Sequence, residues 1–238
     1  MLTDRQSTLL CTAVREYIRT GIPVGSEALL ERVRLPWSSA TVRAEFAQLE
    51  DEGFLEHPHR SSGRVPTRLG YRYYVDHAGA RAPSPAAVAA LRRFAPAVDP
   101  SQEAALAREL AQLLARLSGT LAVVAILPEA VVREPAGLAN LFRMRELTDG
   151  ETAHDLERVL QAFEEHSETL MAHVADGQPT VFIDGENPVA RAEHVSMLVT
   201  APMLPTGLQL LAALIGPLRM PYTRNMRILR AVHTLRSL

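Results

Sequence analysis

Residues Leu2 to Asp76 confine the chain to a narrow set of folds. Three short amphipathic segments, each with its own start and stop signals, lead into a hairpin and then a fourth helix start. The first helix begins at Thr3, with Gln6 three residues on in a capping-box pattern. Leu9, Leu10, Ala13, Val14, Tyr17 and Ile18 recur at helical spacing, and Gly21 stops the run. Pro23 and Gly25 form the connection. Ser26 is expected to cap the second helix, whose apolar positions are Leu29, Leu30 and Val33. Pro36 and Trp37 make the next turn. Ser38 or Ser39 caps a third helix that ends near Glu52 and Gly53. Phe54 to Glu56 and Arg64 to Pro66 read as paired strands around a loop at Pro58 to Gly63. Thr67 then caps a helix containing Tyr71, Tyr73, Tyr74 and Val75. That order is helix-turn-helix followed by a wing, a shape suited to a nucleic-acid groove.

Val42, Phe46 and Leu49 recur at intervals of four and three and are expected to face the core. This turns Ala40, Arg43, Ala44, Ala47 and Gln48 outward. Small residues let a helix lie close in a major groove, and alanines can touch thymine methyls. Arg43 suits bidentate contact with guanine, and Gln48 suits adenine. Ser38, Ser39 and Thr41, with the N–H groups of the helix start, suit phosphate, as does Ser26 at helix two. The hairpin tip adds His59, Arg60, Ser61, Ser62 and Arg64. Gly63 is expected to allow a tight turn, and Arg60 or Arg64 to enter the minor groove or clasp phosphate. The serines are ordinary helix caps as well, so the joint order of elements carries the reading.

Charge alone would not suggest DNA. The net charge is −2, and Leu2 to Asp76 is neutral. Arg60, Arg64, Arg68 and Arg72, however, lie in a stretch without acids. All the basic side chains are Arg, the residue that pairs bidentately with phosphate and guanine. The apolar run Leu208 to Ile215 is too short to cross a bilayer, so no membrane association is expected. The N-terminus lacks the apolar core of a signal peptide. A lone cysteine, Cys11, fits a reducing cytoplasm and a buried helix position.

Residues 77–100 are rich in Ala, Pro and Arg and read as a linker with one short helical piece. Ser101 to Ser118 is a strong helix. Its Leu106, Leu110, Leu113 and Leu117 fit either a two-helix seam or packing on the chain's own second domain. Leu121 to Leu127, Thr180 to Ile183, His194 to Thr200 and Leu208 to Ile215 read as strands. His154 to Val174 and Thr223 to Leu238 read as helices. The expected class is α+β: a winged helix-turn-helix domain at 1–76, the linker, and an α/β effector domain at 101–238.

Several runs resemble one known family. They are Pro23-Val24-Gly25-Ser26, Ser38-Ser39-Ala40-Thr41-Val42-Arg43, Leu55-Glu56-His57-Pro58-His59, Ser61-Ser62-Gly63-Arg64-Val65-Pro66-Thr67 and Gly70-Tyr71-Arg72-Tyr73-Tyr74-Val75-Asp76. Together they closely resemble the HrcA family of bacterial heat-inducible transcription repressors. A weaker match, Ile183-Asp184-Gly185-Glu186-Asn187 and Ile215-Gly216-Pro217-Leu218-Arg219-Met220-Pro221-Tyr222, resembles that family's GAF-like domain. The resemblance implies a homodimer on an inverted-repeat DNA operator upstream of chaperone operons, assisted by the chaperonin GroEL. It departs in two places. Pro128 to Leu147 is expected to join the first strand directly to the late part of the fold, without the family's inserted dimerising domain. Arg43-Ala44-Glu45 stands where the family usually has Arg-Asn-Asp, so the contact at Ala44 and the operator sequence are expected to differ.

Enzyme chemistry is not expected. His57 and His59 lack a third metal ligand nearby, and Glu164, Glu165, His166 and Glu168 fall at the spacing of a solvated helix face. No cofactor motif is present. Two further classes fit the same chain: a small-molecule-sensing regulator, and a protein-interaction module using the leucine seam.

Overall fold

The structure is a computed structural model that describes residues 1–59, 62–77, 82–94, 103–127, 132–148, 150–174, 178–205 and 207–237. The chain divides into two units, Met1–Gly79 and Ala80–Leu238.

The N-terminal unit begins with α1 (Asp4–Thr20). Thr3 Oγ1 accepts from Gln6 N at 3.2 Å, and Gln6 Oε1 accepts from Thr3 N at 2.9 Å, closing the expected capping box. Gly21 ends the helix at φ 66°, the left-handed region that glycine enters without strain. Helix α2 (Ser26–Arg32) is capped by Gly25, not by Ser26. Ser26 instead opens the helix buried, its hydroxyl 3.3 Å from that of Ser39. Helix α3 (Ser39–Asp51) is capped by Ser38, whose Oγ accepts from Thr41 N at 3.1 Å. Val42, Phe46 and Leu49 are buried at the spacing the sequence predicts. Cys11 is half-buried in α1, and burial pushes its thiol up against the lowering influence of Arg15.

Strands β1 (Leu55–Glu56) and β2 (Val65–Pro66) pair antiparallel, Leu55 opposite Pro66 and Glu56 opposite Val65. The α1–α2 connection adds a rung. Val24 N donates to Arg64 O at 2.8 Å, and Arg64 N donates to Val24 O at 3.0 Å. Thr67 Oγ1 then accepts from Gly70 N and donates to Gly53 O, starting α4 (Arg68–His77). Tyr71 and Tyr74 of α4 are buried, and Tyr73 meets Phe54 edge-on, so these rings pack within their own unit.

The second unit is a five-stranded antiparallel sheet between helices. Its strands are β3 (Leu121–Leu127), β4 (Val132–Ala136), β5 (Thr180–Ile183), β6 (Val195–Thr200) and β7 (Gln209–Pro217), in the order β4-β3-β7-β6-β5. All seven residues of β3 are buried, because both faces of the sheet are covered. One face packs with Leu141, Val159, Phe163 and Leu170 from α7 (Leu138–Leu141), α8 (Gly150–Glu165) and α9 (Ser167–Met171). The other face carries α6 (Glu103–Ser118), lying on β3 and β4, and α10 (Tyr222–Val232), lying on β6.

Four expectations change or narrow here. The stretch Pro128 to Leu147 contains an edge strand, β4, which Pro135 disguised; proline is tolerated where one side of a strand is unpaired. The short helical piece expected within the linker is α5 (Pro85–Phe94), but its Ala87 and Leu91 are fully buried and it packs on α10 within the second unit. Helix α6 buries Leu106, Leu110 and Leu114 against the sheet, while Leu113 and Leu117 are only half-buried. The stripe thus serves its own unit. The helix expected at His154 to Val174 breaks at His166 between α8 and α9.

Two side chains tie distant parts of this unit. Asp155 of α8 accepts from the N–H groups of Glu193 and His194 and contacts His194 Nδ1 at 2.9 Å, which fixes the chain entering β6. Tyr222, fully buried, donates to Leu218 O at 2.6 Å and lies 2.7 Å from Ser196 Oγ. The Ile215 to Tyr222 motif is therefore the corner joining β7 to α10.

Candidate nucleic-acid interface

Burial of Val42, Phe46 and Leu49 leaves Ala40, Arg43, Ala44 and Ala47 exposed together on the outer face of α3. Arg43 rises from this low surface with 69% of its side chain exposed. Gln48 is also exposed, but its Oε1 accepts from Gln6 Nε2 at 2.9 Å, so its amide is committed to α1. Glu45 points the other way and pairs, buried, with Arg5 Nε at 2.5 Å.

The N-terminus of α3 lies beside this face. Ser38 is exposed, and its hydroxyl also sits 2.9 Å from Thr41 Oγ1. Ser39 and Thr41 are half-buried, and buried Ser26 is removed from any surface role. Arg34, in the turn between α2 and α3, is exposed as well. A single Arg in a turn has no pattern around it, so no local signal singles it out.

At the hairpin tip Ser62 builds the turn. Its N–H and its hydroxyl both donate to His59 O, at 2.9 and 2.7 Å, and its Oγ accepts from His59 N at 3.2 Å. Arg60 and Ser61, both expected to contact DNA, lie outside the described residues. Gly63 was expected to serve a tight turn. Its φ lies outside the left-handed region, and the constraint is space: a Cβ there would come within 2.5–2.7 Å of backbone atoms of Pro23, Val24 and Gly25.

Arg64 overturns another expectation. Its side chain is only 13% exposed, its Nε donates to Glu50 Oε2 at 3.1 Å, and its guanidinium carbon lies 5.6 Å from the centre of the Phe46 ring. It is turned inward, onto Glu50 and the Phe46 ring, and not held out at an open tip. Glu50 also meets His57 Nδ1 at 2.5 Å through its other oxygen, so one carboxylate at the end of α3 holds the chain on both sides of the hairpin. No local signal marks this contact, since nothing nearby in the chain links Glu50 to residues beyond the turn.

The contact from His57, with help from Arg64, holds the Glu50 carboxyl below its usual range against the opposing effect of burial. A carboxyl depressed in the folded state stabilises above its unfolded pKa, about 4.3, and that stabilisation is lost as pH falls through the folded value. Glu50→Gln is therefore expected to lower the urea midpoint of the N-terminal unit at pH 7. The difference from wild type should shrink below about pH 4. Parallel pH profiles for the two proteins would contradict this role.

Among the described residues, no group of three or more His, Cys, Asp or Glu is placed to hold a metal ion. No helix among them is long and apolar enough to cross a membrane.

A helical unit with a short antiparallel ladder and a unit built on an antiparallel sheet define an α+β protein. The family model described as the HrcA protein C terminal domain matches residues 106–226, more than half of the sequence. The chain belongs to the HrcA family. A heat-inducible transcription repressor HrcA from Shouchella clausii is 54% identical over 77 residues, which cover 32% of this chain and 22% of that protein. One of the same name from Mycoplasma mycoides subsp. mycoides is 56% identical over 77 residues, covering 32% and 23%. The matched stretch thus spans under a quarter of the length of these curated relatives. A crystal structure described as that of a hypothetical protein at 2.2 Å resolution has a TM-score of 0.78 at 21% identity, covering 100% of this chain and 99% of the other, and it shares the fold.

Proposed function

We propose that this protein is a DNA-binding transcription repressor of heat-shock genes. Its N-terminal unit is read as a winged helix-turn-helix, with α3 entering the major groove and the hairpin as the wing. The observation that carries the proposal is the outer face of α3, where Arg43 stands among Ala40, Ala44 and Ala47 beside an accessible helix start at Ser38. The name shared by the relatives, heat-inducible transcription repressor, supports the same reading. Arg43 reads guanine, the alanines allow close approach, and Ser38 with the first N–H groups of α3 holds phosphate. Arg34 and Arg60 add phosphate contacts. Arg64 holds the wing in place.

The second unit, read as a GAF-like effector domain, acts as a homodimer so that two α3 helices meet an inverted repeat. Half-sites would then lie about one helical turn apart, roughly 10 bp, or a multiple of it. The chaperonin GroEL is the proposed partner linking occupancy of the operator to the load of misfolded protein. No catalytic role is proposed for any residue.

A salt titration of binding to chaperone-operon promoter DNA and to random DNA, with Arg43→Ala in parallel, tests this. Wild type should bind the promoter selectively, with log affinity falling by about 0.9 per neutralised phosphate for each decade of salt. Arg43→Ala should lose about tenfold or more of the preference while keeping most of its affinity for random DNA. Equal loss on both DNAs would refute the role given to Arg43, and salt-insensitive binding would refute the DNA-binding reading and favour a protein-interaction module.

A further inference from the structure

Arg43 is flanked by side chains too short to steer it. Ala40, Ala44 and Ala47 share its face of α3, and a long Arg among them has many rotamers. Its ion-pair partner comes from another helix. Glu27, in the first turn of α2, places Oε1 3.7 Å from Arg43 Nη2, and the Glu27 side chain is 76% exposed. This is a charge contact, longer than a hydrogen bond.

An exposed pair of this kind contributes little to stability. A carboxylate on a surface that meets phosphates also weakens attraction to every DNA sequence. The pair therefore gives little to the fold and lowers general affinity, but it can give Arg43 its aim. A guanidinium carries five N–H donors in a planar fork. A carboxylate beside one edge leaves the other edge for the two acceptors of guanine.

We propose that Glu27 is the positioning residue for Arg43 and sets base discrimination at the position Arg43 reads. This rests on the DNA-binding reading above. Glu27 narrows the rotamers of Arg43 before contact. It also makes binding unfavourable wherever Arg43 fails to find guanine, because its negative charge then faces phosphate without compensation.

The test is selection from a pool of duplexes about 30 bp long, three helical turns, with a randomised centre. Wild type, Glu27→Gln, Arg43→Ala and the double variant are compared by sequencing the bound fraction and by affinity for the unselected pool. Arg43→Ala should flatten a guanine preference at one position of each half-site. Glu27→Gln should weaken that same preference by about threefold and raise affinity for the unselected pool by a similar factor. In the Arg43→Ala background it should change the preference no further. The thermal transition should not move with Glu27→Gln. If Glu27→Gln tightens binding to all sequences equally and leaves the guanine preference intact, Glu27 is only a general charge and the proposal fails. If wild type enriches no sequence at all, and Arg43→Ala is silent as well, the sequence-specific reading falls and this inference with it.

Discussion

Phe46→Ala is expected to bring the N-terminal unit to the edge of unfolding while the sheet-based unit keeps its own transition. Phe46 is fully buried, on the face of α3 that also buries Val42 and Leu49, and its ring lies beneath the Arg64 guanidinium. Removing a buried Phe side chain costs about 3–5 kcal/mol, part transfer and part cavity. A unit of this size has a net stability of only about 4–12 kcal/mol. The loss is compounded because Arg64 rests on the ring while pairing with Glu50, so the cavity also loosens the base of the hairpin. Trp37, the only tryptophan, lies in this unit and reports on it alone. Its fluorescence transition in urea should shift to much lower denaturant. Far-ultraviolet circular dichroism should retain a later transition from the second unit. An unmoved Trp37 transition would show that α3 does not depend on this ring.

Gly63→Ala has the second largest expected effect, and it falls on function as much as on stability. The added Cβ would lie 2.5 Å from the carbonyl carbon of Val24, 2.6 Å from that of Pro23 and 2.7 Å from Gly25 N. All three are backbone atoms, so no side chain can swing aside. The hairpin must move off the α1–α2 connection, which breaks the paired hydrogen bonds between Val24 and Arg64. Overpacking of this kind costs about 1–3 kcal/mol, and the upper end applies where only backbone can yield. On the proposed DNA-binding reading, the displaced hairpin should lower affinity about tenfold on promoter and random DNA alike, since contacts to phosphate carry no sequence information. Paired measurements of the Trp37 unfolding midpoint and of DNA affinity check this. Were the requirement one of turn flexibility alone, the stability loss would stay below about 1 kcal/mol and the wing would keep its place.

Local signals in the chain were enough for much of the N-terminal unit. The Thr3 capping box, the Gly21 stop, the Ser38 cap and the 42, 46, 49 periodicity depend on residues within a few positions of one another, and each appears where the spacing puts it. The central strands β3 and β7 were legible too, because a sheet covered on both faces needs continuous apolar runs. The outward face of α3, with Arg43 among alanines, followed from periodicity alone.

Partner choice across the chain was decided only by the tertiary structure. Gln48 is taken by Gln6, 42 positions away, Ser26 by Ser39, 13 away, and Arg64 by Glu50, 14 away. No local propensity distinguishes an Arg that reaches toward DNA from one that turns back onto a carboxylate. Gly63 is required by the close approach of the Val24 segment, which no turn rule anticipates. Strand β4 was hidden by a proline that only an edge position tolerates, and α6 chose its buried face when the sheet formed beneath it. The sequence by itself determined where elements begin and which face is apolar, because those depend on backbone geometry repeating over a few residues. Which polar side chains remain available for a ligand was determined only when distant segments met and satisfied one another's charges and hydrogen bonds.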